Sequence, residues 1–294
     1  MSETYFECPN GSLNSEKCNW ISISGSVRDA PAVGVRQCGD CGLVTHNSNL
    51  HELVNYADGT MHNWAGGYGE LSENPEGDPQ RRLEALLKLR SQYKLGELLD
   101  FGSGDGSMLK SLSAHFSVTG LEPEINAREK STQSGFTIYS SIDEIINKAV
   151  KFDVITMFHV IEHIYNPSEI LNMLKRILRS GGILILETPN SNDALLRLYE
   201  NKEFENWTYW SHHPMLYSHK SLSQIVTKSG FEVLENDGVQ RYSIANHLYW
   251  LSKKKPGGHE IWNDLFSRET SEFYNNDLVR RGQSDTLWLI ARLN

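Results

Sequence analysis

Three groups of residues in this 294-residue chain have the types and spacing to do chemistry. The first is LLDFGSGDGSMLK, Leu98 to Lys110, where an apolar run ends in Asp100 and glycines follow at alternate positions, Gly102, Gly104 and Gly106. Glycines so spaced let the backbone approach a ligand closely. The spacing is G-x-G-x-G and not G-x-G-x-x-G, and no Gly-Lys-Ser/Thr is present, so the P-loop is excluded and the dinucleotide fingerprint fits imperfectly. Asp105 would oppose a pyrophosphate at the following helix start, so a ligand without phosphates suits the loop better. After the next apolar run stands Glu122, where a carboxylate can accept hydrogen bonds from both hydroxyls of a ribose. Together they imply an adenosine-like ligand.

The second group is Cys8, Cys18, Cys38 and Cys41, all four cysteines of the chain, the last pair forming the knuckle CGDCG. In a reducing compartment such a cluster favours structural zinc over disulfides, and four thiolates would close the coordination sphere. The wide spacing of Cys8 and Cys18 leaves free buried thiols as the alternative. The third group is histidine-rich. HVIEH, His159 to His163, matches a zinc-protease pattern, but His159 follows directly on the apolar run DVITMF, which spoils the mid-helix geometry that pattern needs. His163 either points toward a reaction centre or caps a neighbouring carbonyl. YWSHHPMLYSHKSL adds Trp210, His212, His213 and Tyr217.

These residues need elements to hold them. Strand-like runs ELLDF, SVTGLE, FTIY, FDVITMF and GGILILET alternate with helical segments, which predicts a parallel sheet covered by helices on both faces. Asp78 as N-cap and Pro79 open the helix before the glycine loop, and Gly96 closes it. FEVLEN and DTLWLIARL lack a full crossover between them and predict an antiparallel edge. The expected organisation is a cysteine-rich module over 1–46, a connector or lid over 47–78 that includes Trp64 and Tyr68, and an α/β domain over 79–294. An insertion at 238–282 carries Gln240, Arg241, Tyr242, Asn246 and His247. The α/β core does not need it, so it reads as substrate-binding, with Arg241 the candidate for an anionic group.

The motifs LLDFGSGDGSML, GLEPE, FDVITMFHVIEHIYNP and GGILILETPN together resemble class I S-adenosylmethionine-dependent methyltransferases, over roughly residues 83–294. The resemblance implies a Rossmann-like, doubly wound seven-stranded sheet with S-adenosylmethionine as cofactor. It implies that Gly102, Ser103 and Gly104 lie under the methionine and ribose, and that Asp100 orients the amino-acid part. Glu122, followed by Pro123, would bind the ribose diol, Ser141 and Ile142 would meet the adenine, and Phe158 and His159 would flank the methionine end. The histidine segment is similar to that of sugar C-methyltransferases, which also begin with a cysteine-rich zinc module. On that likeness His213 is the base, His163 its partner, and His212 stands where a glutamate is expected.

Charge and hydropathy bound the partners. The net charge of −9 disfavours long nucleic acids, and Lys253 to Lys255 are the one compact basic cluster. No run of eighteen apolar residues and no signal-peptide pattern is present, so a cytoplasmic, non-membrane protein is expected. The leading expectation is methylation of a small molecule such as a sugar, nucleotide-sugar or related precursor. An RNA methyltransferase and an NAD-dependent oxidoreductase or non-catalytic binding protein are the alternatives.

Overall fold

The computed structural model describes residues 8, 18–48, 50 and 77–294, so Trp64, Tyr68 and most of the expected connector lie outside the described residues. Strands β1 (Trp20–Val27), β2 (Ala30–Cys38) and β3 (Val44–His46) come first, followed by helix α1 (Asp78–Tyr93). Then strands and helices alternate: β4 (Glu97–Phe101), α2 (Ser107–Leu112), β5 (Ser117–Leu121), α3 (Ile125–Gln133), β6 (Thr137–Tyr139), α4 (Ile142–Asn147), β7 (Phe152–Phe158), α5 (Pro167–Ile177) and β8 (Leu178–Pro189). The last third contains α6 (Ala194–Arg197), α7 (Lys202–Thr208), β9 (Met215–Leu216), α8 (His219–Lys228), β10 (Phe231–Val239), α9 (Ile244–Lys253), α10 (Gly258–Ile261), α11 (Arg268–Arg280) and β11 (Thr286–Leu293).

Seven strands form the main sheet in the order β10-β11-β8-β7-β4-β5-β6. The strands β6, β5, β4, β7 and β8 pair in parallel, and β11 pairs antiparallel with both β8 and β10. The two strands expected to make an antiparallel edge, FEVLEN and DTLWLIARL, do so as the β10–β11 pair at the end of the sheet. Leu98, Leu99, Val154, Ile155 and Met157 are fully buried, as a strand covered on both faces requires. On one face they meet a cluster that includes Leu171, Leu174 and Ile177 of α5; on the other they meet Leu86 and Leu89 of α1 with Leu112 of α2. Each such side chain contributes about 1.5–3 kcal/mol by leaving water. Asn166 starts α5 by accepting the Glu169 N–H ahead of Pro167.

Two local expectations change. Asp78 is the first residue of α1 and Gly77 occupies the cap, because the Asp78 carboxylate is taken by Arg241 and Arg81. The helix ends at Lys94, which turns left-handed at φ 55°, before Gly96.

The cysteine-bearing strands are not a separate bead. β1, β2 and β3 form a second sheet whose fourth strand is β9, from the middle of the α/β domain. Thr45 Oγ1 donates to the Pro214 carbonyl at 2.8 Å, Ser191 Oγ to that of Gly42 at 2.8 Å, and Ser218 Oγ to that of Cys41. The N-terminal strands thus grip the chain immediately after His213. No helix among the described residues is long and apolar enough to cross a membrane.

Candidate active site

The glycine turn leaves β4 at the carboxyl end of the sheet, where ligands of open α/β folds are met. Gly102 has φ +81°, and a Cβ there would lie 2.5 Å from Val160 Cγ2, so both conformation and space require glycine. The Gly102 and Ser103 N–H groups donate to the Leu121 carbonyl, at 2.8 and 3.1 Å, which pins the turn to the end of β5. Gly104 N–H then donates to Glu122 Oε2 at 2.8 Å, and Glu124 N–H to Glu122 Oε1 at 2.9 Å. The two motifs read from the sequence are therefore one constellation: the glycine loop orients the buried carboxylate.

Asp100 is buried and accepts a hydrogen bond from Thr156 Oγ1 at 2.7 Å. Burial pushes its carboxyl up to about 6, with the Thr156 bond and the Arg82 charge opposing. The Ser103 side chain packs against Gly120, where a Cβ would lie 2.5 Å from its Oγ. Ser141 caps α4 through the Glu144 N–H, Ile142 is packed in the core, and the Pro123 carbonyl accepts from Arg128 at 2.8 Å.

At the end of β7, Phe158 is stacked on Trp288 with ring centroids 5.9 Å apart, and the Arg82 guanidinium sits 4.5 Å above the Phe158 ring. His159 has φ +56°, a left-handed conformation rare for a non-glycine residue, and its N–H donates to the Glu187 carbonyl at 2.7 Å. That turn sends its imidazole between two carboxylates, with Nε2 3.2 Å from Glu187 and Nδ1 3.3 Å from Glu162. One turn of 3-10 helix, Ile161–His163, then brings Glu162 and His163 inward. The zinc-protease geometry is absent: His159 and His163 do not share a helix.

His163 Nδ1 donates to the His212 carbonyl at 2.6 Å, and its ring lies 4.7 Å from that of His213. Glu162, His163 and His213 each offer a ligand-type atom, all within 4.8 Å of one another. Burial alone would raise the Glu162 carboxyl, but the hydrogen bond and charge of His159, with His163 and His213 beyond, hold it near about 2. Burial lowers both His163 and His213, the latter to about 3, so both imidazoles are neutral at pH 7. His212 turns the other way: it stacks on Trp210 at 4.2 Å, and its Nδ1 meets Ser211 Oγ at 3.1 Å. What it gives the site is its carbonyl.

A methyltransferase domain model matches residues 74–236, more than half of the chain. The chain belongs to the methyltransferase domain family. Among curated proteins it is 30% identical over 136 residues to the ubiquinone biosynthesis O-methyltransferase of Xanthomonas oryzae pv. oryzae strain PXO99A, covering 41% of this chain and 57% of that protein. It is 27% identical over 171 residues to the protein of the same name in Xylella fastidiosa strain M23, covering 53% and 65%. The match therefore spans less than two thirds of these relatives. Similar solved structures include a SAM-dependent methyltransferase from Archaeoglobus fulgidus, 15% identical with a TM-score of 0.48, covering 73% of this chain and 94% of that one. The plantazolicin methyltransferase in complex with SAH is 18% identical with a TM-score of 0.48, covering 74% and 86%.

Other residues of the chain differ from expectation. Arg241 does not wait for an anionic substrate: its side chain is 6% exposed, with Nη2 2.6 Å and Nε 2.7 Å from Asp78 Oδ2. Gln240 holds its own turn by donating to the Tyr242 carbonyl at 2.8 Å and accepting the Asp285 N–H at 3.0 Å. Asn246 and His247 lie on the buried face of α9, and His247 Nδ1 pairs with the Tyr274 hydroxyl at 2.7 Å. Tyr242 is half-buried against His259. The insertion is thus a helical cap whose polar residues mostly hold it together. Trp210 is buried beneath the Arg28 guanidinium, 4.4 Å away, and Tyr217 is fully buried.

Sequence reading missed Arg81, Arg82, Glu162 and Glu187. Glu187, fully buried near the end of β8, receives Arg82 Nη2 at 2.6 Å and Arg81 Nη2 at 2.8 Å. Burial would raise its carboxyl, but His159 and Arg82 hold it well below the usual range. A carboxylate inside the apolar run LILET was the available signal, since such a charge needs a partner.

Proposed function

We propose that this chain transfers the methyl group of S-adenosylmethionine to a hydroxyl of a small organic acceptor. The observation that carries the donor half is the bond from Gly104 N–H to Glu122, which sets a ribose-type carboxylate against a loop without a phosphate-gripping cation. Asp100 lies where a cationic amino-acid end would be held, and Phe158 and His159 close the neighbouring strand end. The names of the relatives, O-methyltransferases, favour oxygen as the accepting atom; sugar and ring hydroxyls are both of this kind.

Transfer is an in-line displacement. The oxygen–carbon bond forms as the sulfur–carbon bond breaks, the sulfonium becomes a neutral thioether, and the hydroxyl proton leaves. The acceptor oxygen is assigned to the group of Glu162, His163 and His213. His213 with His163 as partner is the candidate for receiving the proton in the metal-free protein; Glu162, and not His212, stands as the third polar group beside them.

The cysteines support a structural zinc ion. Cys8 Sγ lies 3.5 Å from the sulfurs of both Cys38 and Cys41, and these three sulfurs form one group within 4.8 Å, with Cys18 outside it. Tetrahedral Zn–S bonds of about 2.3 Å place sulfurs about 3.8 Å apart, close to this spacing, whereas a disulfide needs about 2.05 Å.

The deciding experiment titrates S-adenosylmethionine and NAD calorimetrically, then screens hydroxyl-bearing small molecules by mass spectrometry for a gain of one methyl group. Donor binding with methyl gain supports the reading. NAD binding in place of S-adenosylmethionine, or methyl gain confined to RNA, overturns it.

A further inference from the structure

The three groups assigned to the acceptor oxygen bring ligand-type atoms together, and two of them carry a buried polar atom left without a hydrogen bond among the described residues, Glu162 Oε1 and His213 Nδ1. His163 spends its Nδ1–H on the His212 carbonyl at 2.6 Å, which fixes the tautomer and leaves Nε2 as an acceptor. His213 Nδ1 is buried without a hydrogen-bond partner among the described residues. Glu162 is 1% exposed; Oε2 accepts from Thr188 Oγ1 at 2.9 Å, while Oε1 stands 3.3 Å from His159 Nδ1. Buried acceptors that face one another are costly unless something positive lies between them.

We propose that Glu162, His163 and His213 form a binding site for a divalent metal ion. Their ligand-type atoms lie within 4.8 Å of one another, a separation that one ion can bridge with small side-chain adjustments. Two neutral imidazoles and one carboxylate suit first-row ions such as Mn2+, Fe2+ or Zn2+ and leave coordination positions open. The outer contacts are those of a built site, with a backbone carbonyl orienting His163 and a threonine hydroxyl orienting Glu162. His159 and Glu187 continue the network on the far side of Glu162.

The ion's task, though not its presence, rests on the functional reading above. A hydroxyl bound at an open position would be more acidic, so its proton could pass to solvent water as the methyl group arrives, and the ion would take over from His213 the work of activating the hydroxyl.

The test uses Mn2+, because the thiolates of the cysteine cluster favour softer ions. Dialysed full-length protein is titrated with Mn2+ and the free ion is followed by electron paramagnetic resonance, without S-adenosylmethionine. One site per chain is expected, at least tenfold weaker in His213→Ala, His213→Gln and Glu162→Gln. Melting temperature and S-adenosylmethionine affinity, measured on the same samples, identify variants that have not folded. No stoichiometric site in the wild type, or equal affinity in folded variants, overturns the proposal and assigns the gap to water. If Mn2+ fails to bind while S-adenosylmethionine binds normally, only this inference falls; if S-adenosylmethionine fails to bind, the functional reading falls independently.

Discussion

At Asp100 the fold holds a carboxyl at about 6 where an unfolded chain holds it near ~3.9. The folded state therefore keeps a proton that the unfolded state has lost across this window, so stability falls as pH rises from about 4 to 6, by roughly 3 kcal/mol. Binding of a cationic donor favours the ionised form, so S-adenosylmethionine affinity should rise from pH 5 to pH 7. Calorimetry across that range is expected to show the rise in the wild type and a flat profile in Asp100→Asn. Glu122→Ala and Gly104→Val should each weaken donor binding about 10- to 100-fold, as loss of hydrogen bonds to a charged group implies. In Glu122→Ala the Gly104 N–H also loses its acceptor; in Gly104→Val a β-branched residue is forced to φ +53°. Asp100, Glu122 and the glycines were legible in the sequence because each belongs to one strand–loop–helix unit, where spacing fixes geometry. Arg241 was legible as unusual but not in its role, since its partner Asp78 lies 163 residues away.

Among the elements, α1 is the least expected contributor. The sequence shows a helix before the glycine loop; the structure adds that this helix delivers Arg81 and Arg82 to Glu187 at the end of β8 and Asp78 to Arg241 in the cap. Such pairings need the sheet order, and no local pattern reveals that α1, β8 and the insertion converge. Arg241→Ala leaves Asp78 buried with weaker compensation, and removing one partner of such a pair costs about 3–5 kcal/mol. Chemical denaturation should show that loss, with part of it recovered in the double variant Asp78→Asn, Arg241→Met. The insertion was read as an acceptor-binding segment because it is dispensable to an α/β core. Its histidine and asparagine are instead internal to a small helical layer, since a helix at the surface buries one face whatever polar residues that face carries.

Over the whole molecule, the division into a cysteine module, a connector and an α/β domain follows composition, but the pairing of β3 with β9 crosses it. That pairing places the cysteine cluster in mechanical contact with the segment that supplies His212 and His213. If the cysteine cluster holds the proposed zinc ion, Cys38→Ser should lower the melting temperature and speed amide exchange in β3 and β9 together. It should also reduce turnover more than it weakens donor binding, because Glu122 and the glycine turn belong to the other sheet. Thermal unfolding, hydrogen exchange and donor titration on the same variant would check each part.

The β3–β9 contact also has a consequence in time. Thr45 and Pro214 are 169 residues apart. At about 5–20 residues per second, the N-terminal strands leave the ribosome on the order of ten to thirty seconds before their fourth strand exists. During that interval the thiols have no finished sheet to shelter them. Metal capture by the nascent chain would shield them from oxidation, so zinc supply during translation should govern the yield of active protein more strongly than zinc added to the finished chain.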